Sequence, residues 1–296
     1  MRRKLIALIA ASFTFSAMLS ACTANTPAAP AAEASQLEAP AAGLAGQIQI
    51  AGSTTVQPLA EELAESFMDM YPDVVIEIQG GGSSVGVTSA GDSTVDIGNA
   101  SREIKDSEME SYPELMIYTI AYDGIAVIVN SEVEIPSLTV EQVRDIFSGV
   151  VTNFSEVGGP DAEITVVSRE EGSGTRAAFS ELVMLHKDAA GEKIEEPISE
   201  NAILQQSNGQ VRTTVATTPN TIGFLSFGFL DRSVKTVAID GVEPTVENVK
   251  NGSYSIFRPL NMMTNGEPGE LAKAFLDYII GDAGQEIVGQ DYITIK

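Results

Sequence analysis

The sequence has few of the residues that cross-link a fold or bind a metal. It contains one cysteine, Cys22, and one histidine, His186, in 296 residues. A single cysteine cannot form a disulfide within the chain, whatever the redox state of its compartment. A zinc site needs several clustered cysteine or histidine ligands. We therefore predict a fold without disulfides, without a bound metal and without a cofactor.

Basic residues are also scarce, and they are unevenly distributed. The chain has 17 lysines and arginines against 41 aspartates and glutamates, a formal net charge of −24, and no basic residue lies between Lys4 and Arg102. Such an excess of negative charge argues against nucleic acid as a partner. It also means that a site for an anion would have to be built locally, from backbone N–H groups and a few arginines.

The N-terminal segment has the pattern of a lipoprotein signal peptide. Three basic residues (2–4) precede a mostly apolar stretch (5–19) that is too short for a membrane span, and Leu-Ser-Ala-Cys follows, similar to the bacterial lipobox. We expect removal of residues 1–21 and lipidation of Cys22. Because that leader carries three basic and no acidic residues, the mature charge would be −27. The alternative is an ordinary secretory signal cut near Ala21.

Beyond the leader, an Ala- and Pro-rich segment at residues 22–46 is interpreted as a flexible tether to the membrane. Residues 47–51 then alternate as in a strand, and Leu59, Leu63 and Phe67 follow at helical spacing. The remaining about 250 residues alternate strand and helix patterns, with no solenoid-like period and no stretch long enough to span a membrane. This pattern predicts an α/β fold with mostly parallel sheets, arranged as two similar lobes around a cleft.

Three turns rich in glycine, serine and threonine lie where a strand pattern gives way to a helical one. We call residues 52–55 (Gly-Ser-Thr-Thr) the first turn, residues 80–84 (Gly-Gly-Gly-Ser-Ser) the second turn and residues 172–175 (Gly-Ser-Gly-Thr) the third turn. A helix N-terminus has unpaired backbone N–H groups and partial positive charge, and Ser/Thr hydroxyls add donors. One such turn is most simply a helix cap, but three together predict a shared site for an oxyanion.

Three arginines lie close to these turns in a chain that has few. Arg102 follows a short strand pattern, and Arg169 and Arg176 flank the third turn. The planar guanidinium group can bind an oxyanion through two parallel hydrogen bonds, so these residues are candidate ligands. Each could instead balance acidic neighbours at the surface.

A carboxylate would add selectivity if the anion is phosphate. Phosphate keeps a proton at neutral pH and sulfate does not, so an acceptor-only carboxylate favours phosphate and repels sulfate. Asp123, between two strand patterns, is our first candidate, ahead of Glu171 in the third turn and Asp96. Each of these residues could also be only a turn or capping residue.

Four segments occur together: Ala-Gly-Ser-Thr-Thr (51–55), Gly-Gly-Ser-Ser (81–84), Val-Asp-Ile-Gly-Asn-Ala-Ser-Arg (95–102) and Arg-Glu-Glu-Gly-Ser-Gly-Thr (169–175). With them the chain, from about Gln47 to its C-terminus, resembles the PstS-like phosphate-binding lipoproteins of ABC transporters, in the periplasmic-binding-protein superfamily. The resemblance implies a two-lobed fold of type II that closes over phosphate. We divide it into lobe 1 (residues 47–121 and 226–296) and lobe 2 (residues 122–225), with hinges near residues 121–124 and 223–226.

The resemblance also implies which residues contact phosphate. They are Ser53, Thr54, Thr55, Ser83, Arg169, Ser173, Gly174 and Thr175. Many members of the family have an aspartate after the Ala-Ser of the third segment, where it accepts the phosphate proton, but this chain has Arg102 there. We expect Arg102 to supply positive charge and Asp123 to be the acceptor.

The resulting hypothesis is a monomeric, lipid-anchored protein outside the cytoplasm that captures inorganic phosphate by hinge closure. It would deliver phosphate to the permease subunits of an ABC transporter, without an enzymatic step. A phosphate sensor or an adhesin on the same scaffold is one alternative. A serine hydrolase is another, because residues 82–86 fit the G-x-S-x-G pattern, with Ser84 as nucleophile and His186 downstream as its base.

Overall fold

Strands and helices alternate along residues 43–296, the part of the chain that this computed structural model describes. The strands are β1 (Gly46–Gly52), β2 (Val74–Gly80), β3 (Ile97–Ala100), β4 (Leu115–Asn130), β5 (Thr165–Arg169), β6 (Leu185–Lys187), β7 (Lys193–Glu195), β8 (Ile203–Gln205), β9 (Thr221–Ser226), β10 (Val234–Thr236) and β11 (Phe257–Asn265). The helices are α1 (Val56–Met70), α2 (Ser83–Gly91), α3 (Asp106–Ser111), α4 (Val140–Ser148), α5 (Gly174–Phe179), α6 (Asn208–Thr217), α7 (Val246–Lys250), α8 (Glu270–Ile280) and α9 (Asp282–Asp291). Short 3-10 turns lie at Phe154–Val157 and Phe227–Phe229, and a π-helical turn, Ser180–Met184, directly follows α5.

The long strand β4 joins two α/β lobes. The strand order is β2-β1-β3-β11-β4-β9-β5-β8, with β10 also paired to β4. The first part of β4 pairs with β11, and its last six residues pair with β9 and β10. Strands β1, β2 and β3 are parallel to one another, as are β5, β8 and β9. The predicted two-lobed α/β fold is therefore confirmed.

Each lobe has its own hydrophobic core. In lobe 1, Leu63 and Phe67 belong to the apolar face of α1, and the Phe67 ring meets Phe275 of α8 edge-on, with 5.2 Å between ring centroids. In lobe 2, Phe179 of α5 stacks on Phe224 of β9 at 4.0 Å. Burying one such large side chain stabilises the fold by about 1.5–3 kcal/mol. These cores hold the strand ends, and hence the turns that follow them, in fixed positions.

The boundary between the lobes differs from the prediction. Residues 226–296 were expected in lobe 1, yet β10 pairs with the lobe 2 end of β4, and Tyr254 and Ile256 are buried in the lobe 2 core. The chain returns to lobe 1 only in β11, which starts at Phe257, so the strand at residues 223–226 is not the second crossing. β10 has three residues, too few for its pairing to be visible as a pattern in the sequence.

Two glycines allow α2 to lie directly against the ends of β1 and β3. Gly52 has φ +139°, and a Cβ atom there would lie 2.2 Å from the carbonyl oxygen of Asn99; at Gly86 the same distance would be 2.1 Å. Any side chain at either position would push α2 off the sheet. The close approach allows Gly82 N–H to donate to the Gly52 carbonyl at 2.9 Å, which holds the second turn beside the first.

Candidate functional site

The three turns meet at the carboxyl ends of the strands that precede them. The first and second turns follow β1 and β2 in lobe 1, and the third follows β5 in lobe 2. The Thr55 and Thr175 hydroxyl oxygens lie 3.0 Å apart, and the Ser84 N–H donates to the Gly172 carbonyl at 3.2 Å. Each contact joins one lobe to the other, so the lobes are closed against each other at the turns.

The first turn separates a capping hydroxyl from a hydroxyl that faces the other lobe. Ser53 Oγ accepts from the N–H groups of Thr55 and Val56, at 3.1 and 3.3 Å, and so caps the start of α1. Thr55 Oγ1 instead accepts from Asn208 Nδ2 at 2.8 Å. Asn208, the buried first residue of α6, was not among the predicted site residues, because an Asn-Gly pair at a helix start carries no specific signal.

The second and third turns come into contact through a glycine. Ser83 Oγ accepts from the Ser101 N–H at 3.0 Å, and a Cβ atom at Gly174 would lie 2.1 Å from Ser83 Oγ and 2.6 Å from Ser101 Oγ. Ser173 Oγ accepts from the Arg176 N–H at 3.3 Å and caps α5. Only a residue without a side chain allows the third turn to approach Ser83 and Ser101 this closely.

Arg169 is buried at the end of β5 with one nitrogen free. Its Nε and Nη2 atoms donate to the Glu170 carboxylate at 3.1 and 3.0 Å and to the Gln205 and Gln206 carbonyls, and Nη2 also reaches Thr54 Oγ1 at 3.2 Å. Its Nη1 has no hydrogen-bond partner among residues 43–296. A buried donor without a partner costs about 1–3 kcal/mol, and more when it is charged. An anion placed at Nη1 would remove that cost.

Arg258 of β11 is a second buried arginine of this kind, and it was not predicted. It lies opposite Asp123 in the antiparallel β4–β11 pair, and its Nη2 donates to Asp123 Oδ2 at 2.9 Å. Its Nη1 also lacks a partner within residues 43–296, and its Nη2 lies 3.5 Å from Thr55 Oγ1. Burial lowers the pKa of Arg258, Asp123 raises it, and the charge of Arg169 lowers it further, as expected for two guanidinium groups that share a site.

Asp123 is buried, and both of its carboxylate oxygens accept hydrogen bonds from the protein. Oδ2 accepts from Arg258, and Oδ1 accepts from Ser226 Oγ at 2.9 Å. Burial raises the pKa of this carboxyl, while the charge and hydrogen bonds of Arg258, the Ser226 hydroxyl and the Phe227 N–H act in the opposite direction. These contacts do not favour the expected role of Asp123 as the acceptor of a phosphate proton.

Arg102 has both terminal nitrogens of its guanidinium bound to a carboxylate. Its Nη1 and Nη2 atoms donate to the two oxygens of Glu108 at 2.8 and 2.7 Å, and its one contact to a turn among the described residues is with Ser84 Oγ, at 3.4 Å. It lines an adjoining cavity of about 680 Å³ between the lobes. The expectation that Arg102 supplies charge to the anion is corrected accordingly, because Glu108 occupies both terminal nitrogens of its guanidinium.

The other candidate residues are engaged elsewhere. Asp96 Oδ2 accepts from the Gln49 N–H at 2.8 Å on the exposed side of the sheet. Glu171 is largely exposed and pairs with Arg176 at 2.7 Å. Arg176 also donates from Nη1 to the carbonyl of Arg169 at 3.0 Å, so it supports the backbone before the third turn.

The hydrolase arrangement is absent from the part of the chain that the structure describes. His186, on β6, lies 3.4 Å from a Glu196 oxygen and 3.3 Å from the Lys187 carbonyl, and no hydrogen bond joins it to Ser84 within residues 43–296. Across the same residues, no group of three His, Cys, Asp or Glu side chains could hold a metal ion. None of the helices there is both long and apolar enough to cross a membrane. The predicted signal peptide, Cys22 and nearly all of the tether lie outside the described residues.

The chain is similar to known proteins over most of its length. Residues 37–283 match the family described as PBP superfamily domain. Over 253 residues it is 35% identical to the phosphate-binding protein PstS of Bacillus subtilis, covering 84% of this chain and 81% of that protein. A Clostridium perfringens structure, assigned as a phosphate ABC transporter substrate-binding protein and solved with bound phosphate, has 41% identity and a TM-score of 0.78 over 85% of this chain and 100% of that one. An ABC-type phosphate transport receptor from Vibrio cholerae has 30% identity and a TM-score of 0.69, over 83% and 99% of the two chains.

The chain has two α/β lobes that meet at a cluster of hydroxyl, N–H and guanidinium donors. This arrangement, together with the family match, places it in the class of substrate-binding proteins of the PBP superfamily. Within that class, the chain belongs to the PstS phosphate-binding protein family. The resemblance inferred from four short segments of the sequence is thereby confirmed.

Proposed function

We propose that this protein captures inorganic phosphate and delivers it to the permease of an ABC transporter. The observation that carries the proposal is the buried guanidinium group of Arg169 beside the three turns, whose Nη1 atom has no partner among residues 43–296. A tetrahedral oxyanion bound at that nitrogen would accept a charge-assisted hydrogen bond from it. The names of the relatives in Bacillus subtilis and Vibrio cholerae support phosphate as that anion.

Capture proceeds by closure of lobe 2 onto lobe 1 around the anion. The proposed ligands come from all three turns and from the end of β5. They are Thr54, Thr55, Ser83, Arg169, Ser173, Gly174 and Thr175. Because closure excludes water, each donor interacts with the anion more strongly than it could in an open cleft. Ser53, whose hydroxyl already caps α1, contributes to the shape of the first turn.

The cellular setting is part of the same proposal. Lipidation of Cys22 would anchor a monomer outside the cytoplasm, and residues 22–46 would let the lobes reach the permease. Closure and release of phosphate involve no covalent step, so we propose a binding protein and not an enzyme. Co-purification with the permease subunits of a phosphate transporter tests the delivery step, and a protein that never associates with them would point to sensing or adhesion.

Isothermal titration calorimetry tests the capture step directly. The protein is unfolded, dialysed and refolded to remove bound anions, and then titrated with phosphate and with sulfate. We expect phosphate binding, and a loss of about 30-fold or more in Arg169→Ala, since truncating one member of a buried charged pair costs about 2–5 kcal/mol. Arg212→Ala, at a partly exposed ion pair with Asp231, is the matched control. Tight sulfate binding with weak phosphate binding, or an unaltered Arg169→Ala protein, would refute the proposal.

A further inference from the structure

We propose that Arg258 is a second guanidinium ligand of the bound anion and that Asp123 holds it in position, without accepting a proton from phosphate. The inference rests on the proposed function, which places an oxyanion between the turns. It assigns a binding role to a residue of β11 and replaces the role that the sequence suggested for Asp123.

The two buried arginines are held in the same way. One edge of Arg169, formed by Nε and Nη2, donates to the two oxygens of Glu170. The same edge of Arg258 donates to Asp123 Oδ2, at 3.3 Å from Nε and 2.9 Å from Nη2. Each carboxylate therefore occupies one edge of its guanidinium and leaves Nη1 without a partner among residues 43–296. Two groups held alike, each with the same nitrogen free, indicate one shared ligand.

The location of Arg258 puts it within reach of both lobes. Asp123 and Arg258 face each other where β4 and β11 cross between the lobes. Arg258 Nη2 also lies 3.5 Å from Thr55 Oγ1, the hydroxyl that meets Thr175 and Asn208 of lobe 2. Arg258 therefore borders the contact between the first and third turns and would bind an anion enclosed there.

Asp123 is poorly placed to recognise a proton on the ligand. Its Oδ2 accepts twice from Arg258, and its Oδ1 accepts from Ser226 Oγ. A free, acceptor-only carboxylate would repel sulfate, but this carboxylate is neutralised by its own arginine. Removing the Asp123 carboxylate should release Arg258 from its position. The affinities for phosphate and for sulfate should then fall by similar factors.

Calorimetric titration of Arg258→Lys, Asp123→Asn and the double variant Asp123→Asn/Arg258→Met tests both roles. The double variant avoids leaving a buried carboxylate without its partner, which would endanger folding. Arg212→Met with Asp231→Asn removes another Arg–Asp pair, at 3.2 Å and partly exposed, and is the control. Thermal unfolding without anion confirms that each protein is folded.

We expect the double variant to bind phosphate at least 30-fold more weakly than wild type, Arg258→Lys to be intermediate, and the control to be unchanged. In Asp123→Asn, phosphate affinity should fall, while the ratio of phosphate to sulfate affinity stays within threefold of the wild-type ratio. If wild type shows no sulfate binding, this variant should show none either. A double variant within threefold of wild type would overturn the role of Arg258. If the affinity of Asp123→Asn for sulfate rose relative to its affinity for phosphate, Asp123 would again be the candidate acceptor of the phosphate proton.

These outcomes are separate from failure of the proposed function. If wild type bound sulfate tightly and phosphate weakly, the assignment of phosphate would be wrong. Loss of sulfate binding in the double variant would then still support Arg258 as an anion ligand, and unaltered sulfate binding would overturn it.

Discussion

Replacing Gly174 by alanine should block closure of the lobes without removing any donor from the site. The added Cβ atom would lie 2.1 Å from Ser83 Oγ, whereas ordinary contacts begin near 3.4 Å, so the third turn would have to withdraw by about 1.3 Å. Rotation of the Ser83 side chain would not remove this clash. Ser83 Oγ is held by the hydrogen bond from the Ser101 N–H, and the Ser83 Cβ atom would itself lie only 3.0 Å from the new Cβ atom at position 174. A withdrawal of that size would break the hydrogen bond between Thr55 and Thr175, whose oxygens are 3.0 Å apart.

The expected loss of affinity follows from the cost of overpacking. An extra methyl group in a close-packed contact costs about 1–3 kcal/mol, and each 1.4 kcal/mol is tenfold in the dissociation constant. Gly174→Ala should therefore bind phosphate about 5- to 140-fold more weakly than wild type. Its stability without phosphate should be equal or slightly higher, because alanine favours a helix more than glycine does. The residue begins α5, and its backbone N–H is retained.

Calorimetry measures the affinity, and small-angle X-ray scattering with and without phosphate measures the compaction that accompanies closure. Gly209→Ala is the matched control: Gly209 lies in the first turn of α6, also in lobe 2, and a Cβ atom there would meet only Ser207 Oγ, at 3.9 Å. The control should bind and compact like wild type. If Gly174→Ala bound phosphate within threefold of wild type, our description of the closed contact would be refuted.

Three further changes test other parts of the structure. Glu108→Gln should destabilise the fold by about 1 kcal/mol at pH 7 and by less at a pH below the ordinary pKa of a glutamate. Partial burial raises the pKa of Glu108, but the hydrogen bonds and charge of Arg102 lower it by more, so its stabilisation exists above the ordinary pKa and is lost as pH falls through the folded value. Urea unfolding at both pH values checks this, and an equal difference at both would contradict it. Phe179→Ala should lower the free energy of unfolding by about 3–5 kcal/mol, because its ring stacks on Phe224; a loss below 1 kcal/mol in urea would mean that this stack is unimportant. His186→Ala should leave the calorimetric phosphate affinity unchanged, and a serine-hydrolase activity that disappears with this change would instead favour the enzyme.

Those parts of the fold that depend on neighbouring residues could be predicted from the sequence. The apolar spacing of Leu59, Leu63 and Phe67 predicted α1, and that helix buries all three. The strand-turn-helix pattern predicted the first and third turns at the ends of β1 and β5, where the structure has them. Each of these signals is contained in fewer than about 15 consecutive residues, which is the range over which periodicity and turn chemistry act.

The pair of Asp123 and Arg258 could not be predicted in this way. The two residues are 135 positions apart, and only the antiparallel register of β11 on β4 brings them together. A weak signal was available, since Arg258 is the one charged residue of β11, but nothing in the sequence names its partner. The error at Arg102 has the opposite origin: Glu108, six residues further along, was close enough in sequence to be considered, and it captures the guanidinium.

A chain with 24 more acidic than basic residues can hold an anion only if its negative charges do not act on the site. The carboxylates that contact the two buried arginines are paired with them, Asp123 with Arg258 and Glu170 with Arg169, while surface charges beyond about 8–10 Å are screened by salt. Long-range attraction therefore contributes little, and affinity must come from donors that act at close range after water is excluded. This is why a single methyl group at Gly174, which alters no charge, is expected to weaken binding. Normal binding by that variant would mean that the anion is held in an open cleft.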